Sequence, residues 1–98
     1  MDVEFDAELW LWTGDAGWHF VSLPEDVADD IRDCVGGATR GFGSVKVHVQ
    51  VGETRWDTSL FPDSKNGTYV LPIKKQVRQR EDIVVGDVVH VRLELVDH

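Results

Sequence analysis

The 98-residue chain has a single cysteine, Cys34, so no internal disulfide can form. That excludes a stapled secreted scaffold and sets the expectation of a reducing, cytoplasmic setting. No apolar run approaches the length of a membrane helix; the strongest patch is Leu9 to Trp12. A basic-then-apolar signal segment is absent from the start, and no membrane association is expected. Basic residues are also scarce. Ten Lys and Arg stand against eighteen Asp and Glu, for a net charge of −8. A field of that sign repels phosphate backbones and anionic lipid. The deficit is uneven, because residues 1–33 hold ten acids and one base, Arg32, whereas Lys74, Lys75, Arg78 and Arg80 fall close together.

Several chemistries lack their residues as well. The histidines, His19, His48, His90 and His98, show no close ligand spacing, so no metal and no cofactor are expected. His48 and His90 would meet only if the fold brought their strands together, and two separate solvated side chains is the favoured reading. Ser22, Ser44 and Ser59 lie outside any nucleophile elbow. Cys34 falls on an apolar helical stripe, where a buried, inert thiol is expected. The carboxylates form no distinctive acid–base pair, and the chain reads as non-enzymatic. Residues 36–43 are glycine-rich, and Arg40 within them is a candidate anion or ligand contact. This segment lacks a phosphate-loop pattern, and a connector is the stronger reading.

What the chain does contain is 42% apolar residues with 29% charged ones, enough for one folded domain spanning residues 1–98. Phe5 to Trp12 alternates, with Phe5, Ala7, Leu9 and Leu11 on one side and Asp6, Glu8, Trp10 and Trp12 on the other. Trp18 to Leu23 predicts a second strand. Pro24 is placed at the first position of a helix carrying Val27, Ile31, Cys34 and Val35 on one stripe. Val45, Val47, Val49 and Val51 then alternate with polar residues as a third strand. The pattern repeats. Thr54 to Leu60 is a strand, Asn66-Gly67 is a hairpin signal, and Tyr69 to Leu71 is a strand. Pro72 starts a short helix with Ile73 and Val77 inward, and Val89, Val91, Leu93 and Leu95 alternate in the last strand.

The expected fold is therefore mainly β: a small closed or double-split β-barrel with two short helices and internally duplicated β-β-α-β halves. Leu23-Pro24 and Leu71-Pro72 mark the repeat, and His48 and His90 hold matching places in their strands.

Particular stretches carry a family resemblance. They are Gly17-Trp18-His19-Phe20-Val21 through Leu23-Pro24, Thr58-Ser59-Leu60-Phe61-Pro62, and Gly67-Thr68-Tyr69-Val70-Leu71-Pro72-Ile73-Lys74-Lys75. Val77-Arg78 and Gly86-Asp87-Val88-Val89 continue the pattern. They resemble the prokaryotic domain of unknown function DUF1905 over nearly the whole chain. Residues 70–95 also look like the AbrB-like swapped-hairpin module, although Arg80-Glu81-Asp82 departs from the smoother stretch expected there. The resemblance implies a bacterial barrel related to the AbrB-like split barrel and no defined activity. It also implies a phosphate-contacting surface at Lys74, Lys75 and Arg78.

Function is thus open, and an accessory module binding an unknown small molecule or protein is the leading expectation. The alternative is a DNA-contacting regulator acting through the basic helix Lys74–Arg80, which the net charge disfavours. Four tryptophans in 98 residues are the other feature. Core packing is the favoured reading for them; if they line a cleft, Trp18 and Trp56 are the candidate ligand contacts. AbrB-like modules are swapped dimers, but a duplicated chain can close its own barrel, so a monomer is favoured and a dimer stays open.

Overall fold

The computed structural model describes residues 1–14, 17–35 and 43–96. Six strands and two helices follow one another as β1 (Asp2–Leu11), β2 (His19–Ser22), α1 (Glu25–Val35), β3 (Val45–Val51), β4 (Thr54–Asp63), β5 (Thr68–Pro72), α2 (Lys75–Glu81) and β6 (Val88–Leu95). The strands close a barrel in the order β1-β2-β5-β4-β3-β6, every neighbour antiparallel. Closure leaves no free sheet edge. No helix among the described residues is long and apolar enough to cross a membrane.

Alternation builds the interior. Val45, Val47, Val49 and Val51 from β3 face inward, as do Val89, Val91, Leu93 and Leu95 from β6. Phe5 and Leu9 of β1, Leu60 of β4 and Leu71 of β5 complete the wall, and Ala28, Ile31, Val35 and Val77 bring the helices onto it. Among the described residues Thr54 and Thr68 are the buried polar ones. Thr68 donates its hydroxyl to the Leu23 carbonyl at 2.8 Å and Thr54 donates to the Glu81 carboxylate at 2.7 Å. Every buried side-chain polar atom among the described residues has a partner, as a closed apolar core requires.

The halves are related by a pseudo-twofold. Exchanging β1 with β4, β2 with β5 and β3 with β6 returns the same ring of strands. The axis passes through the β2·β5 and β3·β6 seams. Hydrogen bonds fix the alignment. Leu23 N–H donates to the Tyr69 carbonyl, and Ile73 N–H donates to the His19 carbonyl. Ala28 N–H donates to Pro24 and Arg78 N–H to Lys74. Leu23 thus corresponds to Ile73, and Pro24 to Lys74.

That corrects two expectations. The Leu23-Pro24 and Leu71-Pro72 pairs do not superpose; Leu71-Pro72 lies two residues upstream of its supposed counterpart. Neither proline opens a helix from inside. Pro24 accepts the first helical bond through its carbonyl, the N-cap role, and Pro72 ends β5 opposite Phe20. A proline is tolerated at a strand end because the ladder needs no N–H there. Cys34 is a third correction, since it is exposed. The buried face of α1 is Ala28, Ile31 and Val35, and at 100° per residue Cys34 points about 90° away from its centre. α2 ends at Asp82, left-handed at φ 55°, whose N–H bonds the Arg78 carbonyl.

Candidate functional site

The two outer walls of the barrel, each astride the pseudo-twofold axis, differ in chemistry. The β3·β6 wall is charged. His48 lies opposite Asp57 in the β3·β4 register and donates to it from Nδ1 at 2.5 Å. His90 lies opposite Asp6 in the β1·β6 register and donates to it from Nδ1 at 2.7 Å. These pairs occupy equivalent places in the two halves, so the histidine match read from the sequence is real. The two rings do not meet. His48 stands beside Glu94, and His90 is four residues further along β6, about 13 Å by strand rise. Arg92 pairs with Glu4, its Nε 2.6 Å from the carboxylate. A shallow groove of about 840 Å³ crosses this wall past Arg55, Trp56 and Arg92. Among the described residues no group of three or more His, Cys, Asp or Glu side chains is placed to hold a metal ion.

The β2·β5 wall is aromatic. Trp10 on β1 stands directly opposite Phe20 on β2, their ring centroids 5.2 Å apart and tilted by 40°. Trp18 stacks on the same Phe20 at 5.9 Å with ring planes 9° apart. The Trp10 indole N–H donates to Ser22 Oγ at 3.0 Å, which ties that ring to β2. Trp12 N–H donates to the Trp18 carbonyl at 2.9 Å and ties the ends of the β1–β2 connection together. The Trp12 indole lies over Gly14, where a Cβ would collide with it. From the second half come Phe61, Pro62 and Asp63 on β4, followed by Lys65 in the turn. Together these side chains line an open groove of about 630 Å³. Trp12, Trp18 and Phe61 are 45%, 48% and 44% exposed, far wetter than core rings.

This overturns core packing for Trp12 and Trp18. The signal was in the strand pattern, because Trp10 and Trp12 alternate with Leu9 and Leu11 and share a side with Asp6 and Glu8. Sequence reasoning missed Phe61, Pro62, Asp63 and Lys65; the signal was the repeat, since Phe61 follows Leu60 as Trp10 follows Leu9. The proposed pair Trp18 and Trp56 is separated by the fold. Trp18 is in the aromatic groove; Trp56 packs half-buried against the core from β4 and touches the charged wall. Arg40 lies outside the described residues, as does most of the glycine-rich stretch around it.

The basic helix is also less of a surface than its sequence implies. Arg78 is half-buried: Nε donates to the Ile73 carbonyl at 3.2 Å and Nη1 to His19 Nε2 at 3.3 Å. His19 donates from Nδ1 to the Gly17 carbonyl at 2.8 Å, so its Nε2 is the acceptor. Arg78 therefore joins α2 to the start of β2. Lys74, at the N-cap, and Lys75 remain exposed. Glu81 and Asp82 follow at the other end of the helix, and nothing in this arrangement points to nucleic acid.

A family model described as "Domain of unknown function (DUF1905)" matches residues 5–93. No curated protein matches the chain.

Proposed function

The chain belongs to the DUF1905 family, which supplies a fold and no activity, and from that premise we propose that it is a non-enzymatic ligand-binding module whose site is the aromatic groove. The observation that carries this reading is the gathering of Trp10, Trp12, Trp18, Phe20 and Phe61 into one open groove. Solvating those rings is costly. A sheet face with no binding role would carry Thr, Lys or Glu at these positions. Rigid rings locked by a Ser22 hydrogen bond and by mutual stacking lose little entropy on binding, which favours a recognition surface. Among the described residues lining the groove the ionisable ones are Asp63 and Lys65, which favours contact and orientation as its chemistry.

The test uses protein labelled with 5-fluorotryptophan, whose four 19F signals are assigned by single Trp→Phe substitutions. Benzyl alcohol, a neutral soluble aromatic, is the probe. Saturable shifts at Trp10, Trp12 and Trp18 with Trp56 unmoved are expected. Shifts confined to Trp56, or none at any ring up to the solubility limit, would overturn the proposal.

A further inference from the structure

The groove has a charge setting as well as a shape. Resting on the reading of it as a ligand site, we infer that its occupant is an organic cation of the alkylammonium or quaternary ammonium class. Three observations converge on that chemistry. Indole faces carry the strongest negative quadrupole potential of any side chain, and three of the rings here are indoles. The protein bears a net charge of −8, so its field concentrates cations and repels anions. The local charges agree. Asp63 lines the groove, and Glu8 is exposed on β1 two residues before Trp10 on the same strand face, about 7 Å away.

Among the described residues Lys65 is the base that lines the groove, and it works against a cation. Asp63 and Lys65 offset one another in the lining, and Glu8 beside it tips the balance of these described residues negative. Arg55 and Arg92 line the opposite wall; of the guanidinium groups nearer the groove, Arg32 is paired with Asp29 and Arg78 is turned to the Ile73 carbonyl and His19. A neutral ligand would gain the same apolar contact and nothing from this field. A cation with an apolar shell gains both, because its charge is spread over methyl groups that fit against ring faces without a tightly held water shell.

Choline and its neutral carbon isostere, 3,3-dimethylbutan-1-ol, separate charge from shape. Both are titrated into the 5-fluorotryptophan-labelled protein at matched ionic strength. Choline should move the Trp10, Trp12 and Trp18 signals with an affinity about fivefold tighter than the isostere, within the range of cation–π contacts. Asp63→Asn should weaken choline by about two- to threefold and leave the isostere unchanged. Lys65→Gln should strengthen choline by a similar factor, and it leaves in place the hydrogen bond by which Asp63 holds Asn66 across the turn. Equal affinities for the two probes, or a choline titration that moves no groove signal, would overturn the cation assignment. If benzyl alcohol still moves those signals, the groove stands as a ligand site and only its ligand class is wrong. If all three probes leave them still, both readings fall.

Discussion

Replacing Gly52 by alanine should destabilise the barrel by about 3 kcal/mol. Gly52 is the first residue of the two-residue turn between β3 and β4, with φ +57°. An L side chain in that backbone costs about 1–2 kcal/mol. A methyl group there also collides with the Glu81 carboxylate, whose Cδ would lie 2.7 Å from the new Cβ. Glu81 is flexible and would swing away rather than force the backbone. Its departure leaves the buried Thr54 hydroxyl without its 2.7 Å acceptor, and a hydrogen bond to a charged group is worth about 1.5–3 kcal/mol. Because Glu81 is only half-buried, the lower end of that range applies. The two costs sum to about 3 kcal/mol, or a fall in Tm of about 12–24 °C for a domain of this size. Thermal unfolding followed by circular dichroism reads it. The decisive control is Gly52→Ala in a Glu81→Ala background, where the bond is already gone. There the turn substitution should cost only about 1–2 kcal/mol, giving a coupling of about 1.5 kcal/mol. An equal cost in both backgrounds, or a cost under about 0.5 kcal/mol in the first, would refute this account of the turn.

The pseudo-twofold makes a paired prediction. Leu9 and Leu60 are equivalent and each fully buried, so Leu9→Ala and Leu60→Ala should each cost about 3–4 kcal/mol in urea unfolding; a loss below about 1 kcal/mol at either would place that residue outside the core. Cys34 should react with Ellman's reagent in the native protein within about an order of magnitude of its unfolded rate, since it points away from the buried face of α1; full protection until unfolding would contradict the observed helix orientation.

Alternation made the barrel legible. The valine ladder of β3 and the Val-Val-Leu-Leu ladder of β6 can bury a face in only one way, and the order of turns and helices exposed the duplication before any contact was known. The Leu-Pro repeat misled at the next level of detail. Two matching dipeptides were closer to hand than the hydrogen bonds that set the true alignment of Leu23 with Ile73. Cys34 was misplaced for a related reason: a stripe at i, i+4, i+7 and i+8 spans about 100° of helix with Cys34 at its edge, and the buried face of Ala28, Ile31 and Val35 is centred away from that edge. The groove was half legible. Trp10 and Trp12 declared their outward side by sharing it with Asp6 and Glu8. Phe61 and Asp63 hold the places of Trp10 and Trp12 in the second half, which only the true repeat alignment reveals, and they meet the first half because β4 and β1 flank the β2·β5 seam.

The open groove rests on wet indoles, and the same 5-fluorotryptophan-labelled protein tests this before any ligand is added. Each 19F signal is compared in H2O and D2O, which shifts a ring in proportion to its contact with solvent. Trp12 and Trp18, almost half exposed, should show large isotope shifts, and half-buried Trp56 a distinctly smaller one. Shifts at Trp12 and Trp18 as small as that of Trp56 would mean the rings are covered in the folded protein and the groove is not there to be filled.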